Sequence, residues 1–463
     1  MIEQTRVAIR HASALLTLIR RLHFYIGLFI GPFIFTASLT GTLYVLAPQI
    51  EETLYAQQLF TSSSGDEQLL ARQVEAALAV AGPEAQPVAL RPAPGPRDTT
   101  RVMFHDSQLG PSEYRALFID PRTLEVRGDL TVYGTSGVLP LRMWLDKLHR
   151  ALLLGDIGRN YSELAASWMW IVGLGGMILW LKNGNQKRTR KIPTAGRTRS
   201  YLKNKRWHTS LGLALVTGLI LFSATGLSWS QWAGNNIGLL RNTMGWMTPQ
   251  LNASLTPGCH DAAPVTHQEH MSHSMSVMVP AIKPVDFDMA NFVARNAGII
   301  ARQTEIRPPL AAGQAWTVSE IKRSWPTRVD AVAVDTQRQI AINKVSFSDY
   351  PLMAKLTRWG IDAHMGVLFG LPNQIILALF GLGLCTLIAC GYRMWWLRRP
   401  QAPARNPLRT IRESWLGLPR LPRFMLFIVV LASGIGIPLM GISLLLFMVI
   451  DTVRWHHAQQ KSL

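Results

Sequence analysis

The sequence predicts an all-α transmembrane helix bundle, with four core helices plus a C-terminal hydrophobic segment. Two external α+β modules are inserted into it, and the whole reads as an internal duplication. Three observations lead there. Apolar runs of membrane length recur near residues 22–47, 163–182, 209–231 and 372–397, with a fifth near 424–450, and a helix needs about 20 apolar residues to cross a bilayer core. Long segments of mixed polarity, 48–162 and 232–371, separate the first run from the second and the third from the fourth. Finally, two short phrases each occur twice, and every copy is built around a histidine.

The first phrase reads Arg21-Leu22-His23, then Gly27 and Leu28, then Ser38, Thr40 and Gly41; its second copy reads Arg206-Trp207-His208, Gly212 and Leu213, Ser223, Thr225 and Gly226. The spacing is the same in both. The second phrase places His149 before Gly155 and an apolar run, and His364 before Gly370 and another. The order is helix, long segment, helix, short basic loop, and then the same again, a parallel repeat of the kind common in membrane folds.

Taken in order, residues 1–47 hold an N-terminal cytoplasmic segment and the first span, 48–140 the first external module, and 141–182 a histidine segment and the second span. A basic loop (183–206) leads to the third span at 207–231. The second module covers 232–350, a histidine segment and fourth span 351–397, a basic loop 398–423, and a fifth span with its tail 424–463. Gly434, Gly436 and Pro438 mark the fifth run as one that kinks or splits. The first run is too long for a signal-peptide core and is expected to stay as an uncleaved helix.

Within the first module, residues 66–81 carry helical apolar spacing, followed by short strands at 88–90, 102–104, 114–119 and 124–126, with a turn at Asp120-Pro121-Arg122-Thr123. The proline-rich stretch 83–97 reads as a loop. In the second module, residues 288–300 are helical, with strands at 316–318, 329–334 and 339–345 and a turn at Asp335-Thr336-Gln337.

The chain has a formal charge of +19, with 48% hydrophobic and 16% charged residues. The positive charge gathers in the loops 182–206 and 393–423. Short cytoplasmic loops are rich in Lys and Arg, so the basic balance points to membrane topology and not to nucleic acid. That rule puts the N-terminus in the cytoplasm and both long segments outside. Three cysteines, Cys259, Cys385 and Cys390, form no metal or redox motif.

This topology sorts the histidines by depth. His23 and His208 open helices that run outward, so both lie near the cytoplasmic face; His149 and His364 precede helices that run inward, so both lie near the external face. Paired imidazoles on neighbouring helices are what bis-histidine haem ligation requires, and ionisable groups in transmembrane segments are functional candidates. With no Cys-x-x-Cys-His present, the expected cofactors are two haem b, held without covalent attachment. Arg20, Arg21 and Arg206 flank one pair, and Lys147, Arg150 and Arg358 the other; each is a candidate partner for an anionic propionate, or simply a topology signal. Gly27 and Gly212, one turn after their histidines, either admit a flat macrocycle or serve helix contact. His260, His267, His270 and His273 lie with Met271, Met275 and Met278 in a turn-rich external loop; imidazole and thioether donors suit copper, and imidazole also iron or zinc. No Gly-x-Gly-x-x-Gly unit, P-loop or His-Glu-x-x-His occurs, so electrons are expected from a donor elsewhere, a cytoplasmic flavin system or a quinol in the membrane lipid.

The Arg-x-His phrases at His23 and His208, Leu145 to His149, and Asp362-x-His364 together resemble the PepSY-associated transmembrane family, over nearly the whole chain. That resemblance implies PepSY-like external modules. It also implies kinship with inner-membrane di-haem proteins that reduce ferric siderophores, so a ferric siderophore in the periplasm is the expected partner. A siderophore transporter or accessory protein without catalysis, and a copper reductase, are the alternatives.

Overall fold

The computed structural model describes residues 2–183, 196–255, 282–398 and 411–460. It divides into two units, one made of residues 1–44, 147–244 and 375–463 and the other of residues 45–146 and 245–374.

The first unit is helical. Among the described residues, four helices are long and apolar enough to cross a membrane: Ala14–Leu54, Gly155–Lys182, Gly196–Ser228 and Leu371–Arg398. The first comprises α1 (Ile2–Tyr25), a π-helical stretch at Ile26–Ile30 and α2 (Gly31–Leu54). The others are α6 (Gly155–Asn183), α7 (Gly196–Ser228) and α11 (Leu371–Arg398). Their core gathers Ile26, Ile30, Ile34, Trp168, Leu219 and Leu384, while Ile376, Leu379, Leu382 and Leu221 face outward. An apolar outer face is what lipid solvates, so this is a multi-pass membrane protein.

After a short helix α12 (Ile411–Leu416), the fifth apolar run is two helices, α13 (Arg420–Gly436) and α14 (Pro438–Gln460). Pro438 begins the second, where its missing N–H costs nothing. Gly434 and Gly441 let the two backbones meet: a Cβ at Gly441 would lie 2.9 Å from the Gly434 Cα. Met440 and Phe447 of α14 enter the bundle core, and Trp168 Nε1 donates to Ser443 Oγ at 2.9 Å. A short helix α8 (Trp232–Thr243) follows α7. The buried Glu163 carboxylate accepts from its first amides, Trp232 N at 2.9 Å and Ala233 N at 3.0 Å, placing negative charge where the helix dipole favours it.

The second unit is an eight-stranded antiparallel sheet. The first long segment supplies α3 (Ala56–Leu59), α4 (Leu70–Ala81), β1 (Pro87–Arg91), β2 (Thr100–Phe104), β3 (Glu113–Ile119) and β4 (Val126–Tyr133), and ends in the amphipathic α5 (Pro140–Ala151). The second supplies α9 (Val285–Asn296), β5 (Thr304–Arg307), β6 (Trp316–Glu320), β7 (Ala331–Asp335), β8 (Ile340–Val345) and α10 (Leu352–His364). The strand order is β4-β3-β2-β1-β5-β6-β7-β8, so the two sets join edge to edge with Leu90 opposite Ile306.

The two expected modules therefore share one continuous sheet. Left apart, β1 and β5 would each present an open row of backbone donors and acceptors; paired, they satisfy each other. One core spans the join: Val74 of α4, Leu90, Val102 and Leu117 lie in the same cluster as Phe287 of α9, Ile306, Val318 and Val332. The strand expected at 88–90 is β1, at the centre of the sheet and inside the stretch 83–97 otherwise expected to be loop, with Pro87 at its first position, where a strand tolerates proline. Residues 124–126 are not a strand on their own. Leu124 has a left-handed φ of 64° in the turn, and β4 begins after it.

Candidate functional site

The first unit brings His23 and His208, expected as a pair, close to one another. Their ring centroids are 6.2 Å apart, with planes at 89°. Each ring is held in the same way. His23 Nδ1 lies 3.1 Å from the carbonyl of Val172 on α6, and His208 Nδ1 lies 3.0 Å from the carbonyl of Leu387 on α11. A carbonyl can only accept, so Nδ1 carries the proton in both rings and the Nε2 lone pair is left for another partner. Metal-bound histidines use this arrangement: the second ring nitrogen donates to a carbonyl, which fixes tautomer and orientation.

Glycines flank both rings. A Cβ at Gly176 would come within 3.1 Å of His23 Cε1, and one at Gly391 within 3.5 Å of His208 Cε1. The glycines singled out from sequence behave differently: a Cβ at Gly27 would meet nothing within 4 Å, and one at Gly212 only Leu387 Cδ1 at 3.4 Å. A π-helical turn, a feature frequent at functional sites, begins three residues after His23. Arg206 is exposed, in a basic pocket on α7 with Arg199, Lys203 and Trp207. Arg21 on α1 is half-buried and engaged.

These residues fit a metal-centred planar group. Two neutral imidazoles are the donor set that haem iron takes axially.

His149, at the end of α5, also belongs to the first unit. Its Nδ1 is 3.0 Å from Thr40 Oγ1. The Thr40 hydroxyl spends its hydrogen on the Thr36 carbonyl at 2.8 Å, so it accepts from the ring, and Nε2 is again left over. Gly41 sits against the ring, where a Cβ would be 3.1 Å from Cε1, and the Tyr161 hydroxyl donates to the His149 carbonyl. Burial pushes the imidazole down to about 4, against the opposing pull of the Ala37 carbonyl, so the ring is neutral at physiological pH. Thr40 and Gly41 were legible as a repeated phrase, but not as the seat of His149.

His364 ends α10 in the second unit, half-buried. Two residues before it, Asp362 is fully buried between Arg323 at 2.5 Å and Arg358 at 3.0 Å. Arg358 is thus committed to a carboxylate of its own helix and is not left for a propionate. The Asp362 carbonyl also accepts from Val367 N at 2.9 Å, fixing the turn that follows His364. His260, His267, His270 and His273 lie outside the described residues. Among the described residues no group of three or more His, Cys, Asp or Glu side chains could hold a metal ion.

A family model described as the PepSY-associated TM region matches residues 20–398. The chain belongs to the PepSY-associated transmembrane family. All four phrase histidines fall inside the match, as do the bundle helices α6, α7 and α11 and every strand of the sheet. The split C-terminal hairpin α13–α14 lies beyond it, so this packing of Phe447 and Ser443 into the bundle is an addition to the PepSY-associated region. No curated protein matches the chain at a significant level.

Proposed function

We propose that the protein is an inner-membrane haem b protein that carries electrons from the cytoplasmic side to the periplasm and there reduces a ferric siderophore, releasing Fe(II). The observation that carries the proposal is the His23–His208 pair: rings 6.2 Å apart, each tied through Nδ1 to a helix carbonyl. Bound between them, haem would supply a one-electron centre. The chain's own part is to orient and to exclude. Val172 and Leu387 hold the imidazoles in one tautomer, Gly176 and Gly391 keep side chains off the ring edges, and Leu22, Ile26 and Leu387 keep the surroundings apolar. Burial and hydrogen bonding at the ligands are levers on the potential.

The second pair, His149 with His364, is proposed from the sequence repeat. His149 contributes a neutral ring seated on Thr40 and Gly41. Electrons are taken from a cytoplasmic flavin system or a membrane quinol. A bilayer core is about 30 Å thick, too wide for one centre near either face, which is why the reading needs both pairs. Reduction is chemically useful here because siderophore oxygens are hard donors that favour Fe(III) over the softer Fe(II).

Haem content decides the matter. His23→Ala and His208→Ala should each lower the pyridine hemochrome yield from two haems per chain to one, and His149→Ala and His364→Ala should remove the other. In proteoliposomes with a reductant on the cytoplasmic side, the His208 variant should release no Fe(II) outside. Full haem in all four variants would sink the assignment and favour siderophore binding or transport without electron transfer.

A further inference from the structure

The second unit contains a polar cavity of about 520 Å³, within the range of about 300–1,000 Å³ typical of small-molecule sites. Strand alternation puts Arg91 and Arg101 on the face opposite Leu90 and Val102, away from the helix-covered core. Four arginines line the cavity, Arg91, Arg101, Arg142 and Arg323, with the carboxylates of Glu52 and Asp98. Phe60, Ile321 and Val367 add apolar wall.

Three of the four arginines are already matched. Arg91 pairs with Glu305 at 2.6 Å, Arg142 with Glu51 at 3.2 Å and Arg323 with Asp362 at 2.5 Å. Arg101 is different. Among the described residues it has no carboxylate within ion-pair distance; it reaches the Gly137 carbonyl at 3.3 Å and lies 5.1 Å from the centroid of the Phe118 ring. It also stands directly opposite Arg91 across the β1–β2 ladder, a position where like charges destabilise a sheet. Burial pushes its guanidinium down to about 10, with Arg91 and Arg142 adding to the shift and Glu51 and Asp98 opposing it. A long bond to one carbonyl is a poor return for that repulsion. An anion between the two guanidinium groups would remove it, and the planar fork of arginine is matched to a carboxylate.

We propose that this cavity binds a small polycarboxylate, with one carboxylate paired to Arg101 beside Arg91 and the apolar part of the ligand against Phe60 and Val367. That the ligand is an anion stands on the cavity alone. That it is the carboxylate-type ferric chelate to be reduced rests on the function proposed above, and it makes negatively charged chelates, not cationic hydroxamate ones, the matched substrate class.

The test is calorimetric titration of the full chain in nanodiscs, with no reductant present, using citrate, ferric citrate and the cationic ferric hydroxamate ferrioxamine B as probes. Saturable binding of ferric citrate, weakened about tenfold or more by Arg101→Gln and less by Arg101→Lys, is the expected result, a tenfold loss being the size of one charged pair. Ferrioxamine B should bind more weakly and ignore the substitution. Tighter binding of ferric citrate than of citrate supports the chelate; equal binding of the two overturns the chelate and leaves a plain carboxylate site. No saturable binding of either citrate probe, or binding untouched by Arg101→Gln, overturns the proposal. Thermal unfolding of the ligand-free variant guards against a merely structural arginine. Relief of the Arg91–Arg101 repulsion should leave the midpoint unchanged or raised, and a marked fall would overturn the assignment. Because no electron moves in these measurements, a failure of haem binding would show in the hemochrome assay and not here.

Discussion

A valine at Gly176 would bring branched carbons to a place where even a Cβ comes within 3.1 Å of His23 Cε1. The ring must then turn, and its bond to the Val172 carbonyl turns with it. In the haem protein proposed above, Gly176→Val should therefore shift or abolish the low-spin haem signal in electron paramagnetic resonance, with protein yield little changed. Gly27→Ala should leave the helix packing intact, because its Cβ meets nothing; haem loss there would instead mark the face on which the macrocycle lies. A second residue-level expectation concerns acid. Burial alone would raise the Asp120 carboxyl, but hydrogen bonds from Thr61, the Arg122 amide, Ser63 and the Thr123 amide outweigh it and hold it at about 2. A carboxyl depressed in the folded state contributes stability that is fully present above its unfolded value of about 3.9 and is lost as pH falls through the folded value. Asp120→Asn should flatten the loss of stability between pH 4 and 2, read as the midpoint of the sheet unit's thermal unfolding. An unchanged acid slope would show that Asp120 does not govern it.

Among the elements, α4 depends on a residue from the other half of the chain. Its first amides, Leu70 N and Ala71 N, each donate to the Asp288 carboxylate of α9 at 2.8 Å. Asp288→Ala removes that cap and should cost about 1 kcal/mol, measured by denaturant unfolding; a cost near zero would mean that water replaces the carboxylate. This contact also shows what sequence could not reveal. Helical spacing located both α4 and α9, because each buries an apolar stripe. β5 escaped notice, since Thr304-Glu305-Ile306-Arg307 offers a single aliphatic residue and its Glu305 is buried only because Arg91 and Arg307 meet it there. The long spans were legible because lipid demands an unbroken apolar run. α5 and α10 were seen only as histidine-bearing segments, since short amphipathic helices give a weak signal. Repetition was enough to single out His23 and His208, whose rings lie 6.2 Å apart, while the carbonyls beside them were invisible, a main-chain atom having no letter in a sequence.

For the whole molecule, the proposed topology makes a direct prediction. A cysteine at Lys187 should resist an impermeant thiol reagent added outside intact cells, and one at Gln108 should react. Labelling with the opposite pattern would reverse the orientation and with it the direction of electron flow. The single sheet has a further consequence, in the order of biosynthesis. In the proposed topology, β1 to β4 are translated and exported long before residues 304–307 exist. Until β5 arrives, the β1 edge stands unpaired and α4 lacks the Asp288 that completes its first turn. The first half of the external domain must wait, half-built, while two membrane helices and the start of the second segment are inserted. A nascent chain paused before residue 304 should accordingly be open to a periplasmic protease and a client for holding chaperones, whereas one paused after residue 345 should resist both.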